Sequence, residues 1–525
     1  MSARLFVRQS SGLVRSISAV DAFIGNLLII NLVITATQIV LMPWLFPGLN
    51  LPLSVLMTAP LVLFPGTVYL LYGLAMPRSG GDYVYISRTL HPALGFAANC
   101  SVVLWNMSWM GAYANWVTTQ GIAASLSITG TLFGNTTLTQ LADRLATPWS
   151  TLLIGTAVNV LLAAVLVSGL RRALLVQRTL FLVAFLSLAL GVLVVALASH
   201  AEFLAHAQRF FDPAALQQSA QQAGLELPAS WNDLRQTLYA TGLNALALLF
   251  MWFVQYAGGE IQNVRRTLPR AVLGSLAAGT AMITLMAWAA AKTFGPDFLA
   301  AFNHVFANAP DAYPFAVPPS WQLLQSLLTD NPVLVWLMAL AFIAWPMAAI
   351  IMNHLANSRC MFAWAFDRLL PEKLAEVNER TGSPVVAILL SAIGAELFLI
   401  VFTFWGNTAT FFGGSTLGYL LAFGTTALAG LLWPLLRPDS FRRTPAAVQL
   451  FGLPLIQIAG AGTLLYFAFL FWAFLTNPAF GLARLGLVGF ALYWLVGLGI
   501  FVIAWQVRRA QGIDLSLVYR EVPAE

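Results

Sequence analysis

Apolar runs about as long as a bilayer is thick recur along this chain, and charge is confined to the short stretches between them. A helix needs about 20 apolar residues to cross the hydrocarbon core. By that measure the sequence divides into roughly twelve segments, near 21–45, 51–75, 93–126, 150–168, 174–198, 237–257, 271–293, 333–356, 384–404, 409–433, 454–475 and 485–507. Of the 525 residues, 59% are hydrophobic and only 9% charged, where a soluble chain carries about a quarter charged. Backbone polar groups must be paired internally in lipid, so the pattern predicts an all-α integral membrane protein in contact with the bilayer.

The basic residues fix the sides. Taking the N-terminus as cytoplasmic, 21 of the 26 Lys and Arg fall in the tails and loops on that side, and 5 (Arg144, Arg209, Arg235, Lys292 and Arg484) on the other. Excess Lys and Arg mark the cytoplasmic side. The split predicts a multi-pass cell-membrane protein with both termini cytoplasmic. It also reads the net charge of +6 as a topology signal, excluding nucleic acid as a partner. The first apolar run exceeds the 7–15 residues or so of a signal-peptide core, so no cleavable signal is expected. Cys100 and Cys360 lie in or next to apolar segments and read as buried free thiols. The five His are scattered and form no metal pattern. Neither an enzyme, nor a metal, nor a cofactor is expected.

Two outward loops are long. Residues 199–235 mix Phe203, Phe210, Phe211 and Leu216 with Gln, His and Asp, the pattern of a helix lying in the headgroup interface. Residues 294–332 carry Phe298, Phe302, Phe306, Tyr313, Phe315 and Trp321 among prolines. They read either as an external lid or as a passive interfacial loop.

Four motifs recur at one side of the membrane. Met76 to Tyr85 reads Met-Pro-Arg-Ser-Gly-Gly-Asp-Tyr-Val-Tyr, and Gly169-Leu170-Arg171-Arg172 precedes the fifth segment. Gly258 to Arg270 reads Gly-Gly-Glu-Ile-Gln-Asn-Val-Arg-Arg-Thr-Leu-Pro-Arg. Asn357-Ser358-Arg359 leads to Ala365-Phe366-Asp367 and Pro371, then Ser383-Pro384. In this order the motifs resemble the amino acid–polyamine–organocation transporter superfamily. That resemblance implies two inverted five-helix repeats with helices 1 and 6 broken near mid-membrane, plus two extra C-terminal helices. It divides the chain into a tail (1–20), a first repeat (21–198), an amphipathic loop (199–236), a second repeat (237–433), the last two helices (434–507) and a C-terminal tail (508–525). It also implies a permease moving amino acids or related amines by alternating access. A non-transporting sensor or partner-bound subunit on the same fold is the alternative, and the oligomeric state is left open.

In such folds the substrate binds at the breaks, where one half-helix offers N–H groups and the other offers carbonyls. Counting inward from the motifs puts the breaks near Ile30–Thr37 and Leu249–Phe253. The Gly-Ser-Gly of many family members is absent, and Gly25, Gly258 and Gly259 lie outside the breaks. Asn31, Thr35 and Thr37 can bond nearby backbone instead. The substrate-binding candidates are Asn31, Thr35, Ala36, Thr37, Trp109, Phe250, Met251 and Trp252. Trp109, Tyr113 and Trp116 share one helix face at i, i+4 and i+7. Gln255 and Asn353 read as interhelical hydrogen bonds or as site residues. Glu260, paired with Arg265 or Arg266, is expected as an inner latch, as is Asp21. Glu396, well inside the ninth segment, is a candidate coupling group. Val333 to Asn353 contains no Ser or Thr hydroxyl for sodium, and Ala184 falls where some proton-coupled relatives carry a Lys. Exchange, uniport and proton coupling through Glu396 stay open.

Overall fold

The structure, a computed structural model, describes residues 12–406, 409–480 and 484–519. Arg4, Arg8 and Arg520, counted above on the basic side, lie outside the described residues. Among those residues, eleven helices are long and apolar enough to cross a membrane. The third expected segment is helical from Pro92 to Trp116, continues through a π-helical turn at Val117–Ala123 and ends at Leu132. It is not one of the eleven, because Asn99, Ser101, Asn106, Ser108 and Asn115 lower its hydropathy.

The first apolar run forms two helices, α1 (Ala19–Ile30) and α2 (Leu32–Leu45). Helices α3 (Leu51–Ala75), α4 (Asp82–Thr89) and α5 (Pro92–Trp116) follow. Local sequence sets the starts. Ser18 and Asp21 form a reciprocal capping box at α1. Pro92, Pro148, Pro296 and Pro332 open their helices, where a missing N–H costs nothing.

Both described chain ends lie at one end of the bundle. There Ile17 pairs with Ile261, and Ser79 with Ala257. The Tyr519 hydroxyl lies 3.0 Å from that of Tyr83. The glycines of two motifs allow this closeness. A Cβ at Gly258 would come within 2.7 Å of the Arg78 carbonyl oxygen, and one at Gly81 (φ +50°) within 2.7 Å of the Tyr256 ring. Gly258 therefore serves the crossing of two loops.

At the opposite end, the two long loops cover each other. Phe203 is fully buried and meets Phe294 and Phe298 edge-on at 5.0 Å. Phe211 packs on Phe298, Phe302 and Phe315. This corrects the expected interfacial helix, because the loop's main apolar side chains are spent inside a protein cap. Helix Pro296–Asn308 fastens the cap to α2 through an Asn303 amide donating to the Val40 carbonyl at 2.9 Å, and the Trp44 indole donating to His304 Nδ1 at 3.2 Å.

Candidate functional site

Asn31 divides α1 from α2. Its φ of 56° and ψ of 69° are left-handed, a conformation Asn tolerates better than other side-chain-bearing residues. The same residue repairs the interruption it makes. Its Oδ1 accepts from the Ile34 amide at 3.2 Å, and its carbonyl accepts from the Thr35 hydroxyl at 3.0 Å. Its Nδ2 donates to the Tyr113 hydroxyl of α5 at 3.2 Å. Opposite, helix Leu234–Leu248 gives way to a 3-10 helix, Leu249–Tyr256. Its Val254 amide donates to Asn26 Oδ1 of α1 at 2.9 Å, and its Met251 carbonyl accepts from Ser275 at 3.3 Å.

Between the two irregular segments lies a cavity of about 70 Å³. That is room for roughly five waters. Asn31, Thr35 and Gln38 of α2, with Trp105, Trp109 and Tyr113 of α5 and Phe250 of the 3-10 segment, line it, Asn31 as the residue that caps α2, together with Leu246, Ala247, Asn353 and the end of α1. No charged side chain is among the lining residues.

Four of the expected binding residues, Asn31, Thr35, Trp109 and Phe250, come together here, and Ala36, Thr37, Met251 and Trp252 do not. Helical geometry explains the division. Residues 31, 35 and 38 share one face of α2, while 36 and 37 point elsewhere. In a 3-10 helix successive residues turn by a third of a circle, so Phe250 faces the cavity while its neighbours turn away. Met251 packs onto Gly66 of α3. Trp252 stacks on Tyr69 at 4.3 Å and 14°. Sequence reading missed Trp105 and Gln38. Trp105 precedes Trp109 and Tyr113 at i, i+4, i+8, and Gln38 extends Asn31 and Thr35 to i+7, so both signals were present.

A model of the amino acid permease family matches residues 20–503. The chain belongs to that family. No curated protein matches the chain.

Ion pairs join the segments of the permease at the end where both described chain ends lie. Glu260 accepts two hydrogen bonds from Arg359, at 2.7 Å from Nε and 2.8 Å from Nη2. The two side chains are 1% and 0% exposed. This corrects the expected partner, since Arg265 and Arg266 are exposed. Asn263, left-handed at φ 45°, starts the next helix in a direction that carries both outward. The Glu260 carbonyl also accepts from the Ile17 amide at 2.9 Å, so the N-terminal segment is pinned at the same point. Asp21 accepts from Arg178 at 2.6 and 2.7 Å. Asp367 accepts from Arg88 at 2.6 Å. Asp82, fully buried, accepts from the hydroxyls of Tyr69, Tyr256 and Thr426. Burial pushes its carboxyl above the ordinary carboxylate range, against the lowering effect of those hydrogen bonds.

Glu396 of the permease lies away from the cavity. It accepts from Thr156 and, at 3.1 Å, from Asn159 Nδ2. Asn159 Oδ1 lies 3.1 Å from His354 Nε2, and His354 Nδ1 lies 3.0 Å from Ser391 Oγ. Asn357 Nδ2 reaches Ser391 at 3.5 Å, and its Oδ1 accepts from Asn106 at 2.9 Å. Asn106 Oδ1 accepts from the Tyr419 hydroxyl at 2.7 Å. Tyr419 meets the cavity-lining Trp105 edge-on at 3.7 Å. Gln255, expected as an interhelical bond or a site residue, accepts from the Tyr85 hydroxyl at 3.0 Å.

Proposed function

We propose that this permease is a secondary transporter that moves amino acids or related amines by alternating access, on a twelve-helix frame with two inverted five-helix repeats and both termini cytoplasmic. The observation that carries the reading is the facing pair of irregular segments, at Asn31 and at Leu249–Tyr256, with the cavity between them. Irregular backbone at membrane depth is tolerated only where it is buried or lines a cavity, and such breaks hold substrate in transporters of this architecture. Glu260–Arg359 and Asp21–Arg178 act as inner latches that part when the cavity opens to the cytoplasm, and the aromatic cap closes the outer side.

Uptake into proteoliposomes tests this, with labelled L-leucine, L-phenylalanine and phenethylamine as probes. Saturable uptake of at least one probe, absent from empty vesicles, is expected. Binding of a probe without flux overturns the transporter in favour of a sensor built on the same fold.

A further inference from the structure

The joint between the aromatic cap and α2 turns on one titratable side chain. His304, half-buried on helix Pro296–Asn308, has both ring nitrogens engaged. Nδ1 accepts from the Trp44 indole of α2 at 3.2 Å, and the Asn308 amide nitrogen lies 3.3 Å from it. Nε2 lies 3.2 Å from the Ala223 carbonyl, at the C-terminal end of helix Pro213–Gln222 in the other long loop. These partners dictate the tautomer. An indole N–H can only donate, and a carbonyl can only accept. The ring is therefore neutral, with its proton on Nε2.

Protonation of Nδ1 acts on the two sides of this joint in opposite senses. An imidazolium is a donor at both nitrogens, so its new N–H faces the Trp44 N–H and that bond is lost. The bond from Nε2 to Ala223 gains charge assistance, and the C-terminal end of a helix favours a cation. The cap keeps its own aromatic contacts, Phe203 with Phe294 and Phe298 among them. The ring thus leaves α2 and stays with the cap. Among the described residues, the side-chain hydrogen bond then left between this helix and α2 is that of Asn303 to the Val40 carbonyl, at 2.9 Å. The surroundings hold little other charge. α2 and helix Pro213–Gln222 contain no titratable side chain, and Asp212 caps the far end of the latter. Asp297, on the same helix as His304, accepts from the Trp231 indole at 2.8 Å. Asp311 and Glu226, just past the two cap helices, are exposed, and among the described residues neither forms an ion pair with His304.

We infer that His304 is a proton-operated fastening: neutral, it holds the cap on α2, and protonated, it releases the cap, so that acid on that side of the membrane opens the way to the cavity. The helix it lets go is the one that lines the cavity through Asn31, Thr35 and Gln38. The effect on uptake rests on the transporter reading, whereas the release of the cap does not.

Ala300 is 2% exposed and shares a helix face with Asn303 and His304, so a thiol there is reached only when the cap lifts. The test labels the full-length Ala300→Cys protein with a maleimide at about pH 7.5 and about pH 5.5, on either side of the ordinary imidazole value. Dividing by the rate at the exposed Gln218→Cys removes the reagent's own pH dependence. The ratio is expected to rise at least about threefold on acidification. Adding His304→Gln, whose amide oxygen can accept from Trp44 but does not titrate, should hold the ratio low at both pH values. Adding Trp44→Phe, which removes the donor, should hold it high at both. An unchanged ratio in the Ala300→Cys protein overturns the inference, and so does a rise that survives His304→Gln. Proteoliposome uptake of the same three probes reads the consequence, with acid stimulation expected in the unsubstituted protein and not in His304→Gln. A labelling ratio that rises as expected without any saturable uptake overturns the transporter reading and leaves the fastening standing.

Discussion

Glu260 and Arg359 show what a buried ion pair demands of its partners. Each is stable in the apolar interior because the other satisfies it. Arg359→Leu leaves a buried carboxylate uncompensated and is expected to cost about 3–5 kcal/mol of stability. Adding Glu260→Leu should recover most of that loss, and the exposed Arg265→Ala should stay within about 0.5 kcal/mol. Unfolding in detergent measures all three, and equal effects at Arg359 and Arg265 would refute the pairing. The partner was not legible in the sequence, because Arg359 lies 99 residues from Glu260 while Arg265, Arg266 and Arg270 follow it within one short stretch. Asp82 gives a pH prediction. Its folded-state carboxyl titrates above the unfolded value near 4, so the protonated form favours the folded protein. That contribution is full below the unfolded value and is lost as pH rises through the folded one. The melting temperature of Asp82→Asn should therefore fall less than that of the unsubstituted protein as pH is raised from about 4. Parallel profiles would show that Asp82 does not titrate in this range.

Among the elements, α2 and the 3-10 segment explain which part of the site was readable. The chain lacks glycine where many family members break helix 1, and a polar side chain able to bond its own backbone was the evident substitute. Asn31 fills that role, and α-helical spacing then groups it with Thr35 and Gln38. The segment Leu249–Tyr256 was less legible, because an apolar run does not reveal whether it turns every 3.6 residues or every three. Phe250 and Trp252 therefore looked equivalent and are not. Trp109→Ala is expected to weaken substrate binding about tenfold through the ring surface lost from the cavity wall. Trp252→Ala is expected to act mainly on stability, by about 3–5 kcal/mol, because it empties a core contact with Tyr69. Probe titration and unfolding separate the two, and a Trp252 effect confined to binding would return that residue to the pocket. In helix Pro332–Phe366, the stretch Val333 to Asn353 has no Ser or Thr hydroxyl to ligate sodium. Replacing sodium with choline should leave initial uptake rates unchanged, and a large drop would reveal a sodium site elsewhere.

At the scale of the whole molecule, the membrane class and all-helical fold were the most legible features, because apolar length and arginine placement are read directly from composition along the chain. The aromatic cap was legible only in part: residues 294–332 could be read as a lid, but its closure depends on two loops some 60 residues apart finding each other through aromatic contacts, for example Phe203 with Phe294 and Phe298. The proposed orientation predicts a labelling pattern. A maleimide that does not cross membranes should react on intact cells with Gln218→Cys, and not with Arg443→Cys, against a background of buried Cys100 and Cys360. The reverse pattern would invert the topology.

The polar row from Tyr419 to Glu396 has a further property. Asn159 also donates to the Ala392 carbonyl, and Asn357 to the Val103 carbonyl, so neither amide can turn over without losing a second bond. With those two fixed, His354 presents its Nε2 proton to Asn159, and every donor from Tyr419 onward points toward the carboxylate. The row has a head and a tail. Reversing one member alone would set two donors or two acceptors face to face, so the row can change only as a unit. Five helices that pack one on the next are in this way made to register one another's state.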